Sequence, residues 1–125
     1  MSAARERPLV VVITSVPLLG EAAGAALEFA DVVSFDARRG DVASLLRWVA
    51  PDAVLVDDGA LAAEAAAYAG EHELPVLHVS VRERQLFVLR GADEWEAVGS
   101  GEDPTPELLR SVVAGAVFAR RGAVA

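Results

Sequence analysis

Leu9-Val10-Val11-Val12-Ile13-Thr14-Ser15-Val16-Pro17 decides the fold. Five aliphatic residues of β-branched character without a polar interruption read as a strand covered on both faces, the mark of a parallel sheet. Leu9 to Ile13 is therefore expected as the central strand. Thr14 and Ser15 end it, and Pro17 suits a first helical turn. Leu19, Ala23, Ala26, Leu27 and Ala30 then recur at helical spacing, opposite Glu21 and Glu28. Working outward, the same alternation repeats. Val32 to Phe35 reads as a second strand, 37–40 as a loop, and Asp41 as the N-cap of a helix from Val42 to Ala50 that Pro51 stops. Ala53 to Val56 is a third strand, followed by Asp57-Asp58-Gly59 and an alanine-rich helix from Ala60 to about Gly70. Pro75 opens a fourth strand, Val76 to Val81.

Strand-helix units in series imply right-handed crossovers and a parallel sheet with helices on both faces. After Ser80 the rhythm breaks. Only five residues separate Ser80 from Leu86, too few for a parallel crossover, so Leu86 to Arg90 is expected to return antiparallel. A turn over 91–94 leads to a last strand, Trp95 to Val98. Residues 99–104 read as a loop, Thr105 as a cap, and Glu107 to about Arg120 as the final helix, with Pro106 at its first position. The ends, about 1–7 and 121–125, are expected to be loose. No internal repeat is present.

The chain has 125 residues, a mass of 13.1 kDa, 54% hydrophobic residues and a net charge of -8. That length buries about two-thirds of the unfolded surface and supports one core, hence a single domain over 1–125. There is no cysteine, there are two histidines, and all 11 basic residues are arginine. A thiolate nucleophile, an iron-sulfur cluster, a conventional structural zinc site and Schiff-base chemistry are thereby excluded. Net acidity opposes sequence-independent nucleic-acid binding, and Arg5, Arg7, Arg120 and Arg121 are too few to reverse it. No apolar run reaches the length of a bilayer span and no secretory signal opens the chain, which predicts a cytoplasmic protein that does not enter membranes.

Ligands of parallel sheets gather at the carboxyl ends of the strands, which here bear Thr14, Ser15, Asp36, Asp57, Asp58 and Ser80. Among them, Pro51-Asp52-Ala53-Val54-Leu55-Val56-Asp57 resembles the third strand and phospho-acceptor aspartate of response-regulator receiver domains. Pro75-Val76-Leu77-His78-Val79-Ser80 is similar to their fourth strand, which ends in a Ser or Thr hydroxyl, and Val16-Pro17-Leu18 also matches. The resemblance covers residues 8 to 80 and the last helix. It implies a flavodoxin-like three-layer sandwich with parallel strands in the order 2-1-3-4, here extended by an antiparallel hairpin and closed by the C-terminal helix.

The departures from that family set the functional expectation. Receivers hold magnesium with a pair of acids after the first strand, where this chain has Thr14 and Ser15. They also use a lysine after the fifth strand, and this chain has none. Two hydroxyls bring no charge to neutralise a divalent cation. Asp57, Asp58, Thr14, Ser15 and Ser80 thus read as a vestigial phospho-acceptor pocket, with no metal, no cofactor and no catalytic residue. Asp57 or Asp58 is expected to cap the following helix, or both to solvate the strand end. His78 and Ser80 with Asp57 only weakly suggest a hydrolytic triad, because no nucleophile elbow surrounds Ser80.

The last helix carries two apolar stripes. Leu109, Val112, Val113 and Ala116 form one; Leu108, Gly115 and Phe118 form the other, with Ala114 and Gly115 small enough for a close neighbour. Receivers dimerise through their fourth and fifth elements and last helix. The resemblance therefore implies a homodimer, or docking to another protein, through Leu108, Gly115 and Phe118 together with Phe87, Leu89 and Trp95 of the hairpin. The expected function is a non-catalytic, phosphorylation-independent interaction module. The alternatives are a small-ligand sensor or enzyme using a cleft around Thr14, Ser15, Asp57 and Ser80, or a fragment resembling the substrate-binding part of hydroxyacid dehydrogenases.

Overall fold

The computed structural model describes residues 7–36, 41–80, 83, 85–91, 94–98 and 105–124. Within them the chain alternates β1 (Leu9–Thr14), α1 (Pro17–Ala26), β2 (Asp31–Asp36), α2 (Val42–Val49), β3 (Ala53–Val56), α3 (Gly59–His72) and β4 (Val76–Ser80). It then runs β5 (Gln85–Gly91), β6 (Glu94–Val98) and α4 (Pro106–Val124). This is an α/β protein with a six-stranded mixed sheet in the order β2-β1-β3-β4-β5-β6. β1, β2, β3 and β4 run parallel, and β5 and β6 antiparallel to their neighbours. The loops expected over 37–40 and 99–104, and Val81, Ala92 and Asp93, lie outside the described residues.

The aliphatic runs behave as their composition requires. Val10 to Val12 and Ala53 to Val56 are wholly buried, because helices cover both faces of the parallel strands. One layer holds α1 and α4 over Val10, Val12, Leu55, Leu77, Leu86 and Val88. The other holds α2 and α3 over Val11, Ile13, Val54, Val56 and Val76. The sheet's centre is β3 and β4; β1 is one strand in from the β2 edge, because the hairpin adds two strands on the far side. α1 stops at Ala26, four residues short of the apolar periodicity. Leu27 takes the C-cap, and Ala30 is buried by the turn into β2.

Caps fall where short polar side chains precede apolar runs. Asp41 accepts from Ala43 N at 3.2 Å and from Ser44 Oγ at 2.7 Å, and the Ser44 bond chiefly holds its carboxyl below the usual range. Thr105 Oγ1 accepts from Leu108 N at 3.1 Å. At the other end of the strands Asp52 clamps β1, its Oδ2 accepting from Leu9 N at 2.8 Å. Arg7, placed by the sequence at a loose end, donates to the carbonyls of Glu28 and Ala30 and pairs with Asp31 at 3.2 Å. α4 continues to Val124. Among the described residues no helix is long and apolar enough to cross a membrane.

Candidate functional site at the strand ends

β1 and β3 lie side by side, with Ile13 level with Val56, so the next residues, Thr14 and Asp57, emerge together. Thr14 is buried, 5% exposed, and donates its hydroxyl proton to Asp57 Oδ2 at 2.7 Å. The same hydroxyl oxygen accepts from Val16 N at 2.8 Å. The Val16 carbonyl stands 3.0 Å away, but one proton serves one acceptor and the carboxylate is the stronger. Asp57 is half-buried, and its other oxygen, Oδ1, is sealed from solvent with no hydrogen-bond partner. A short, charge-assisted bond thus ties the end of β3 to the end of β1 and the entry of α1.

Asp58 takes the capping role. Its Oδ1 accepts from Ala60 N at 2.7 Å and Leu61 N at 3.3 Å, closing the first turn of α3. Ser80 is buried at the end of β4, where its Oγ accepts from Glu83 N at 3.1 Å. No hydrogen bond joins Ser80 to Asp57, and Ser15 is exposed. The five residues of the expected pocket therefore split. Thr14 and Asp57 form a latch, Asp58 caps a helix, Ser80 holds a turn, and Ser15 faces solvent.

This donor set does not fit the magnesium that the receiver resemblance would imply. One Asp57 oxygen is engaged by Thr14, the other is sealed, and the neighbouring side chains on β1 are hydroxyls. Among the described residues no three His, Asp or Glu side chains gather as a metal would require. The His78 ring packs into an aromatic row. Its ring centre lies 5.9 Å from that of Phe87 and 6.1 Å from that of Trp95, the latter edge-on. Burial pushes its pKa below the ordinary 6.5, against the pull of the Glu83, Asp58 and Asp57 carboxylates.

A cleft of about 340 Å³ does open at the strand ends, between β1 and β2. Thr14, Ser15, Gly20, Glu21, Ser34, Phe35 and Asp36 line it. The expected cleft included Asp57 and Ser80; the observed one lies on the other side of β1 and contains neither. Gly20 matters here, because a Cβ at that position would collide with Ser34 Oγ. Its absence lets α1 lie against β2.

The expected interface also divides. Phe87, Leu89 and Trp95 alternate onto the α2–α3 side of the sheet, where Leu89 and Trp95 abut that core and all three stay half-buried. Leu108, Gly115 and Phe118 belong to α4, which packs on the opposite side. Leu109, Val113 and Val117 point inward, leaving Gly115 exposed and Phe118 56% exposed, 6.2 Å from Phe29. Nothing lies within 4 Å of where a Cβ on Gly115 would stand, so no neighbour in the chain uses that small residue. One continuous surface cannot hold both sets. The sequence reading also passed over Trp48, which is 82% exposed on α2. Val42 and Leu46 are the buried face of that helix, and a residue two places after Leu46 must point away from it.

Comparisons of the chain with family models, curated proteins and solved structures found no match.

Proposed function

We propose that the chain is a non-catalytic, phosphorylation-independent module on a flavodoxin-like scaffold, resembling receivers, that acts by binding protein surfaces. The observation that carries this reading is the state of Asp57. An acceptor carboxylate must offer an oxygen to the incoming phosphorus and a cation to the transferring group. Here Oδ2 is held by Thr14 and Oδ1 is sealed. The strand end is a structural joint, and what remains open to partners is surface. We assign the first partner as a second copy, through the outward stripe of α4 that carries Gly115 and Phe118, with half-buried Leu108 at its start. Aromatic residues are enriched at interfaces, and Phe118 is exposed.

The test of the Asp57 reading is intact mass after incubation with acetyl phosphate and magnesium. The expected result is an unchanged mass for the wild type. A stoichiometric gain of one phosphoryl group, absent from Asp57→Asn, would contradict it.

A second reading, a small-ligand sensor, draws on the cleft between β1 and β2, whose walls combine three hydroxyls, two carboxylates and the Phe35 ring. Native mass measurement of the purified chain addresses it directly: a retained small molecule lost in Ser34→Leu would favour it.

A further inference from the structure

The β5–β6 hairpin is seated differently on its two sides. On the α1–α4 side Leu86 and Val88 are buried in the core beneath α4. On the other side α2 and α3 cover β1, β3 and β4, Leu89 and Trp95 abut the edge of that core, and a lateral row of rings supplements the β4–β5 ladder. His78 stands directly opposite Phe87 in the ladder, and Trp95 is opposite Leu89 on the next strand. The imidazole meets Phe87 at 5.9 Å, tilted by 31°, and Trp95 at 6.1 Å, at 74°. His78 is the only titratable side chain of β4, and it sits half-buried at the junction. We propose that His78 is a pH-controlled pin for the hairpin: protonating its imidazole places a cation inside the Phe87–Trp95 contact and loosens the seat of β5–β6 against β4.

The charged groups that face His78 are Asp57 at the end of β3, Asp58 at the cap of α3, and Glu83 in the β4–β5 turn. Phe87 and Leu89 from β5 and Trp95 from β6 add no charge. Arg82 and Arg84, of the same turn, lie outside the described residues. Arg90 pairs with Glu96 at 3.4 Å and lines the groove beneath α4 on the opposite side of the hairpin. Desolvation outweighs the three carboxylates, so the seated form prefers the neutral ring. The sign follows. Above the unfolded histidine midpoint of 6.5 both seated and open forms are neutral, and the seat is fully held. As pH falls from there the open form takes up the proton first and the seat weakens. Below the seated form's own midpoint the loss is complete and levels off. The opening constant rises about tenfold for every pH unit between the two midpoints.

The experiment uses the full chain in a Trp48→Phe background, which leaves Trp95 as the sole indole. His78 is titrated by ring-proton NMR while Trp95 emission and amide exchange of residues 85–91 and 94–98 are followed. The expected result is a His78 midpoint below 6.5, with emission and intrinsic-rate-corrected protection changing together between 6.5 and that midpoint. Both changes should vanish in His78→Phe and in His78→Gln, and persist in His72→Gln, which removes the exposed histidine stacked on Tyr68. Emission and protection factors, the intrinsic amide rate divided by the observed exchange at each pH, that stay flat through the titration would overturn the proposal. So would a midpoint at or above 6.5, or a transition that survives in both His78 variants. Each readout is internal to one chain, so a negative outcome leaves the α4 dimer to its own test.

Discussion

At the residue scale, Asp57 and Thr14 form a joint between the ends of β3 and β1. A carboxylate at the end of a strand would normally draw water or a cation. Here Thr14 supplies a neutral proton donor at 2.7 Å, and the surrounding chain seals the second oxygen. Removing that donor takes away the one hydrogen bond that the described residues give this half-buried carboxylate. Thr14→Val, which keeps shape and loses the hydroxyl, should therefore cost about 1–3 kcal/mol, read as a lower urea midpoint at unchanged slope. Thr14→Ser should recover most of the loss. The pairing itself was legible only in part. Strand alternation places both residues at carboxyl ends, but that Thr14 would turn its hydroxyl onto Asp57, and Ser80 its oxygen onto its own turn, depends on side-chain rotamers that no spacing records.

At the element scale, the order of strands and helices was legible because each carries a strong local signal. Aliphatic runs mark β1 and β3, Asp41, Asp58 and Thr105 mark helix starts, and a five-residue gap marks the antiparallel return. Helix ends were less legible. α1 stops before its apolar pattern does, because Ala30 is buried through a turn and not through a helix face. α2 ends in a left-handed C-cap on an alanine, Ala50, with φ 51°, its N–H bonding Leu46 O at 2.8 Å. Glycine is the residue that takes this conformation without steric cost. Ala50→Gly should accordingly stabilise the fold by roughly 0.5–1 kcal/mol, the left-handed penalty of an alanine less glycine's extra freedom in the unfolded chain. A higher thermal midpoint would report it; a lower one would mean that the cap is held by Pro51 and not by its own dihedrals.

At the scale of the whole molecule, the sheet separates two surfaces that lie close together in sequence. The aromatic row of the hairpin and the outward stripe of α4 lie close together in the chain, yet the six-stranded sheet stands between them. That separation was invisible in the sequence, because the side on which α4 packs depends on how the chain crosses from β6. It makes two independent surfaces out of one expected interface. On the proposed reading α4 self-associates, and phosphate chemistry has no part in it. Sedimentation velocity at micromolar concentration, with and without acetyl phosphate and magnesium, tests both halves of that claim at once. The account predicts a concentration-dependent dimer with the same distribution in either buffer, weakened in Phe118→Asp. A lone 13.1 kDa species in both buffers, or a dimer formed only when acetyl phosphate is present, would contradict it.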